Sequence, residues 1–394
     1  VFQTGLNLMR DLLRKGVRTV GVDNDLEHQG FRSVYGKSYA CPNPDTHPDE
    51  WVGFMKDLSQ QLGAKPVFIP AADIFIAALG RHAEALQDHY LVSPPAAALQ
   101  ASLATKEKQY ALAAEFGFPC PRMAYVKSRA ELRNFMSSAR FPCLIKPRSP
   151  REWSELPADN PLSRHKVIIA ETPEELLRYY AWAEPCRPEA VAQEVIQGLG
   201  SAKFVYLSVY GAGARLLGNC VVQEIRDYPP FTGMPSMVKP VADQEIATLC
   251  DNFLRRLNYR GICEFEVKRD VRDGQVRLIE MNPRFSGTGD VASYIGIETG
   301  WLHYLDMIGR PVVPVQPARF DFHHVSLRIE SAESIHHLLR GDLKWRELLA
   351  PYRGKIEYFD FDLRDRRLAA SVLGTSVRNV AGHLMRHIKR SWYS

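Results

Sequence analysis

This chain of 394 residues is most easily read from what it lacks. None of its seven cysteines, Cys41, Cys120, Cys143, Cys186, Cys220, Cys250 and Cys263, forms a C-x-x-C pair, and an odd number cannot close into a full disulfide set. Reduced thiols and a cytoplasmic address are the expectation. No apolar run reaches the roughly 20 residues of a membrane helix, no secretory signal pattern is visible, and no N-x-S/T acceptor occurs. Neither sign of charge dominates. Fifty Lys and Arg stand against 45 Asp and Glu, for a net +5 that is not gathered in one block. Nucleic acid is therefore not strongly indicated, and anionic small substrates fit equally well. There is no G-x-S-x-G, no P-loop and no H-E-x-x-H, so the signatures of a serine hydrolase, a P-loop NTPase and a zincin are all absent. No internal repeat or low-complexity tract is present.

What remains has the length for two or three domains with real cores. "VFQTGLNLMRDLLRKGVRTVGVD" reads as a turn, an amphipathic helix, a stop at Gly16 and a strand ending at Asp23. The opening turn leads to the expectation of a strand ahead of Val1. "KPVFIPA" reads as another strand and "DIFIAALGRHAEAL" as a helix, so residues 1–92 form a parallel α/β unit. A binding role for that unit hangs on Gly5 without a G-x-G-x-x-G, which favours a structural reading. After a break at "VSPP", "ATKEKQYALAAEFGFPCP" is a helix closed by Gly117, and "FPCLIKP" is a strand ending in Lys146. Residues 148–164 are rich in Pro, Arg and Ser and read as a loop. Then come a strand, Thr172 as a helix N-cap, and antiparallel strands in "AVAQEVI", "KFVYLSVYG", "ARLLGNCVVQEI", "ICEFEVKRD" and "RLIEMN". A basic amphipathic helix, "SVRNVAGHLMRHIKRSW", lies near the end. Its stripe Val377, Val380, Leu384 and Ile388 suits packing on the body or lying on anionic lipid, and packing is the expectation.

The chemistry concentrates where "ICEFEVKRDVRDGQVRLIEMNPR" turns back on itself at Asp273-Gly274. A two-residue loop would pair Arg272 with Gln275. A three-residue loop, Arg272 to Gly274, would pair Val271 with Gln275. In the second register Glu266 faces Glu280, and Glu264 faces Asn282, all on one side of the sheet. Like charges so placed repel unless a cation is present, and Mg²⁺ takes carboxylate and amide oxygens. Arg284 follows two residues later, within reach of a bridged phosphate.

"EMNPR" after such a hairpin, with "YRGICEFE" ahead of it, resembles the metal site of the ATP-grasp superfamily, which includes biotin carboxylase and the carbamoyl phosphate synthetase large subunit. The resemblance covers about 93–309. By spacing from Gly261 the upstream metal acid resembles Glu266 rather than Glu264, which makes Glu266, Glu280 and Asn282 the ligands of two Mg²⁺, or Mn²⁺. Lys106, eleven residues before Gly117 of "GFPCP", and Lys146, ending "FPCLIKP", match the family's two nucleotide lysines. "QEVIQG" resembles the hinge on the adenine, with Glu194 at the exocyclic amine and the backbone near Ile196 on the ring. "TGLNLMRDLLRKGVRTVGVD" and "DYPPFTGMPSM" look like the carboxylate–amine ligase-like group that includes D-aspartate ligase.

The resemblance implies an α/β and α+β chain. A Rossmann-like pre-ATP-grasp domain spans 1–92 and a two-lobed ATP-grasp domain 93–309, with its lid at about 140–192 and its metal-site sheet at about 193–309. A C-terminal extension runs from 310 to 394. The implied reaction is ADP-forming: a carboxylate is activated by ATP as an acyl phosphate and coupled to an amine. Lys106, Lys146 and Arg284 would take up phosphoryl charge. Arg226, after a strand that should border the cleft, either holds a substrate carboxylate bidentately or pairs with Asp227 or a nearby acid, and Arg284 could serve the substrate instead of phosphate. Expected partners are a small carboxylate and an amine, an amino acid or a sugar-acid or cell-envelope precursor, and a homodimer is possible. Two features depart from the family. Residues 148–166 contain no glycine, which leaves Arg148, Arg151, Ser154 and Lys166 to grip phosphates in place of backbone amides. The usual ribose acid is replaced by "GLGSAK", so Ser201 or Lys203 would serve. A nucleotide-binding protein with a degenerate lid, or an ATP-grasp phosphotransferase, is the alternative.

Overall fold

The structure, a computed structural model, describes residues 2–148, 152–153, 156, 159–185, 189–198, 200–228, 234–341 and 344–392. Numbered along the chain, the described strands are β1 (Val20–Asp23), β2 (Lys37–Ala40), β3 (Met123–Val126), β4 (Cys143–Lys146), β5 (Ile168–Ala170), β6 (Ala190–Glu194), β7 (Lys203–Gly211), β8 (Arg215–Tyr228), β9 (Met234–Val241), β10 (Gly261–Arg269), β11 (Val276–Asn282), β12 (Phe322–Val325) and β13 (Lys355–Tyr358). The chain divides into two compact units. One comprises Val1–Phe118, Leu199–Val267 and Glu280–Ser394, and the other Pro119–Gly198 and Lys268–Ile279.

The first unit is built on a seven-stranded sheet ordered β11-β10-β7-β8-β9-β12-β13. β7, β8 and β9 form an antiparallel meander, and β12 pairs antiparallel with β9 but parallel with β13. Apolar side chains of β7 and β8 alternate into a core with Phe285, Val291, Ile295 and Leu302. The helix Gln3–Arg14 adds Leu8 and Leu12 to that core. The helix Gln244–Arg256 starts where the Asp243 side chain accepts from the Ile246 N–H at 3.0 Å. Toward the N-terminus β1 and β2 pair in parallel, and the helices Pro48–Leu62 and Asp73–Leu86 bury Trp51, Met55, Phe75 and Leu79. The strand expected at "KPVFIPA" is reduced to one parallel bridge, Val67 to Leu91. Pro66 and Pro70 have no N–H to extend a ladder.

The second unit holds an antiparallel sheet ordered β3-β6-β4-β5. It is backed by the helix Pro173–Ala183, whose N-cap Thr172 accepts from the Glu175 N–H. Among the described residues of 148–164, Trp153 and Leu162 are fully buried in this unit's core. The Asn160 side chain caps the short turn Pro161–Arg164.

The C-terminal helix Arg366–Trp392 packs through a different face from the one its stripe predicts. Leu368, Ala369 and Val372 are buried, whereas Val377 is 68% and Leu384 39% exposed. The six cysteines among the described residues are all free. No described helix is long and apolar enough to cross a membrane.

Candidate active site

The hairpin at the end of the seven-stranded sheet follows neither predicted register at its turn. Asp270, not Val271 or Arg272, pairs with Gln275: its N–H reaches the Gln275 carbonyl at 2.9 Å, and its carbonyl takes the Gly274 N–H at 2.7 Å. Gly274, at φ +70°, is the extra residue of a bulge, a left-handed position that suits glycine. That pairing, continued regularly, would turn Glu280 away from Glu266. It does not continue regularly. The Leu278 N–H points off the outer edge of β11 to Pro119 O at 2.8 Å, and the Met281 N–H points off the same edge to Gln109 Oε1 at 2.9 Å. Three residues apart, they share an edge only if the strand steps by one residue between them. The step restores the facing of Glu264 and Asn282, whose side chains hydrogen-bond at 2.9 Å.

Four carboxylates come within electrostatic reach of one another: Glu280 on β11, Glu264 and Glu266 on the adjacent β10, and Glu224 on β8, with β7 lying between β10 and β8. Burial pushes the Glu266 carboxyl up to about 8, reinforced by Glu264, Glu280 and Glu224 and opposed by Lys106. Burial also pushes Glu224 up to about 7, against the pull of Lys203. Glu264 is buried and fully paired. It accepts from the Asn282 amide and from the hydroxyls of Ser286 and Thr288. Glu266 makes no hydrogen bond among the described residues.

The helix Lys106–Phe116 sets the outer wall of this face. Gln109 clamps the backbone of Met281 at both ends, 2.7 Å to its carbonyl and 2.9 Å from its N–H. One turn earlier on the same face, Lys106 places Nζ 2.9 Å from Glu280. Gly261 lets β10 begin close to a neighbouring helix: its φ is +124°, and a Cβ there would stand 2.3 Å from Gln100 Nε2.

The arginines divide. Arg284 lies beside the acids, donating to Asn282 Oδ1 at 3.3 Å and to both oxygens of Asp73 at 2.6 and 3.2 Å. Burial works against its charge, but Asp73, together with Glu264 and Glu280, offsets this and raises its pKa. Arg226 is not brought into this group. It is buried against Glu330 at 2.9 Å, the Leu348 carbonyl at 3.3 Å and the ring of Tyr352. Its guanidinium is thus the partner of a buried acid that arrives from the C-terminal extension, a contact no local spacing could announce. Lys203 is buried, 2.5 Å from Asp227 and 3.5 Å from Glu224.

In the second unit, Lys146 Nζ donates to Gln193 at 3.0 Å on the neighbouring strand β6. Glu194 accepts from the Arg140 N–H at 2.8 Å, and Ile196 is buried beyond it. Arg148 pairs with Glu189 at 3.0 Å and lies over the ring of Tyr125. Lys166 is exposed. Arg151 and Ser154 lie outside the described residues.

Sequence reasoning missed Glu224, Gln109, Ser286 and Thr288. Gln109 carried a signal in its one-turn spacing from Lys106. The others carried none, because their roles depend on which strand lies beside which.

Among the described residues no three Asp, Glu, His or Cys side chains are arranged to hold a metal ion, and Lys106 occupies Glu280. The donor chemistry nonetheless fits Mg²⁺. The Glu266 carboxylate is unpartnered, its ionisation is opposed by neighbouring acids, and the Asn282 amide oxygen lies on the same side.

The seven-stranded sheet and the separate four-stranded unit give the chain the ATP-grasp fold. Among solved structures it resembles the biotin carboxylase domain of 2-oxoglutarate carboxylase from Hydrogenobacter thermophilus, in complex with MgADP, ADP and bicarbonate. The TM-score is 0.59 at 15% identity, covering 82% of this chain and 71% of that one. It also resembles L-amino acid ligase from Bacillus licheniformis, with a TM-score of 0.55 at 16% identity over 76% and 70% of the two chains. In sequence it is similar to D-aspartate ligase from Enterococcus faecium, 22% identical over 227 residues, which are 56% of this chain. The chain thus spans about half the length of that curated relative, 53%. No protein-family profile matches. The sequence's resemblance to carboxylate–amine ligase-like ATP-grasp proteins is borne out by these likenesses.

Proposed function

We propose that this protein is an ADP-forming ligase that couples a small carboxylate, in the first place an amino acid, to an amine. The observation that carries the reading is the face formed by Glu266, Glu280, Asn282 and Lys106, in which acids repel one another around an unpartnered carboxylate. Such an arrangement costs stability and gains it back when a cation and a polyanion arrive together. The likeness to D-aspartate ligase supports the substrate class.

In this reading Glu266, Glu280 and Asn282 hold Mg²⁺, two ions or Mn²⁺ included. Bound there, the metal would neutralise phosphate oxygens and relieve the repulsion among the acids. Lys106 exchanges Glu280 for a phosphate oxygen. Arg284, already bidentate with Asp73, has the fork geometry for a phosphate or a carboxylate. Lys203, though held by Asp227 and Glu224, remains a candidate for the nucleotide. The sequence resemblance further assigns Lys146 to the phosphates, Glu194 and the backbone at Ile196 to the adenine, and Arg148 and Lys166 to the grip on phosphates. The substrate carboxylate oxygen attacks the γ-phosphorus as the bond to ADP breaks. The amine then attacks the acyl carbon, inorganic phosphate leaves, and the ammonium proton is lost. Positioning and charge carry most of the rate, so no nucleophilic side chain is required.

The test is ADP release from enzyme and MgATP across a panel of amino acids and sugar acids, with hydroxylamine as a trap. Stimulation by one acid, together with its hydroxamate, supports the ligase. Stimulation that yields a stable phosphorylated product and no hydroxamate overturns it in favour of a phosphotransferase.

A further inference from the structure

We propose that Glu264 is a positioning residue that fixes the side-chain amide of Asn282 with its oxygen toward the cation site, an inference that rests on the Mg²⁺–nucleotide reading above. An ionised carboxylate can only accept hydrogen bonds. Glu264 is buried, and three donors converge on it: Asn282 Nδ2 at 2.9 Å on Oε1, and the hydroxyls of Ser286 and Thr288 on Oε2. Asn282 must therefore turn its NH₂ to Glu264. Its Oδ1 is left facing Arg284, which donates to it at 3.3 Å and which feels the charge of Glu280, the partner of Lys106.

The alternative orientation is penalised twice. A flipped Asn282 would set its oxygen against the Glu264 carboxylate, two acceptors with no proton between them. It would also set its NH₂ against Arg284 and any cation. Glu264 thus does not need to touch the metal to decide whether Asn282 can. The same carboxylate pins residues 286 and 288 behind Arg284, so the loop that carries the guanidinium is anchored by the group that orients the amide. Oriented ligands of this kind are worth roughly tenfold to a hundredfold in metal affinity.

Glu264→Met is close in shape but removes both acceptors. Glu264→Gln keeps one oxygen for Asn282, while its NH₂ can donate to two hydroxyls able to accept. The double variant Ser286→Ala and Thr288→Ala leaves the amide contact intact. ADP binding would be measured calorimetrically as Mg²⁺ is titrated, alongside binding of ADP in chelator and the thermal midpoint. The Mg²⁺ requirement should rise about tenfold to a hundredfold in Glu264→Met. It should rise less in Glu264→Gln and little in the double alanine variant, while ADP binding in chelator changes little. A separate readout needs no metal: the Asn282 side-chain amide resonances of protein labelled on asparagine should show slow exchange in wild type and fast exchange in Glu264→Met.

Unchanged Mg²⁺ dependence together with unchanged amide exchange in Glu264→Met overturns the proposal. So does an equal loss of ADP binding with and without Mg²⁺, which would mark a purely structural acid. If Glu264→Met does not fold, Glu264→Gln and the double alanine variant still decide, since equal effects in the two would place the role in the loop and not in the amide. If wild type shows no Mg²⁺-dependent ADP binding, the nucleotide reading fails, and amide exchange still tests the clamp.

Discussion

Replacing Glu266 by Gln should make the metal-free protein more stable. The carboxyl is pushed up from 4.5 to about 8, first by burial and then by Glu264, Glu280 and Glu224. A raised carboxyl pKa means that the folded state holds the proton more tightly than the unfolded chain does. The stability it contributes is complete below about pH 4.5 and is lost as pH rises through 8. At pH 7 the folded state mostly keeps a proton that the unfolded chain has released, which costs up to about 3 kcal/mol at about 1.36 kcal/mol per pKa unit. Glu266 is only half-buried, and screening by solvent reduces this to about 1–2 kcal/mol. Gln keeps the shape and removes the charge. Urea unfolding in chelator at pH 7 should favour Glu266→Gln by that margin, and the difference should vanish near pH 4. With MgADP present the order should reverse, because the wild type gains from the cation and the variant gains less. A Glu266→Gln protein that is no more stable than wild type in chelator would refute the repulsion argument. Equal stabilisation of both proteins by MgADP would refute the ligand assignment.

Arg226→Met leaves Glu330 buried without its cation and should cost about 3 kcal/mol, of which Arg226→Met with Glu330→Gln recovers at least half; full stability with lost acceptor binding would return Arg226 to a substrate role. Burial lowers the His303 pKa to about 4, so the protein should lose stability as pH falls from 6.5 toward 4. His303→Leu should flatten that acid limb by about 1–3 kcal/mol, seen in unfolding midpoints at pH 7 and 4.5, and an unchanged limb would exclude His303 as its source. Gly261→Ala must place a Cβ at φ +124° and 2.3 Å from Gln100, so a loss of about 1–3 kcal/mol in urea unfolding is expected, and a neutral change would show that β10 need not start so close to that helix.

Much of this protein was legible in order and spacing. Short apolar runs at hairpin spacing gave β7 and β10, Thr172 announced a helix start, and Gly117 at φ +72° closed the helix that Lys106 opens. These features depend on neighbours within a few residues, where backbone sterics and side-chain reach act directly. The pairing of Glu264 with Asn282 was also legible, though by a route the hairpin does not follow. The predicted loop was shifted by one residue, and a step in β11 compensates for it. That step is fixed from outside the hairpin, by Gln109 and the carbonyl of Pro119.

Tertiary structure alone decided the rest. Glu224 joins the acids because β7 and β8 are laid beside β10 across gaps in sequence that no local rule spans. Arg226 turned to Glu330 and Arg284 to Asp73, partners 104 and 211 residues away, because a desolvated guanidinium takes the nearest buried or pre-aimed carboxylate whatever its place in the chain. The C-terminal helix likewise shows two apolar stripes in its sequence. Only the surface it meets determines that Leu368, Ala369 and Val372 are covered while Val377 and Leu384 are not.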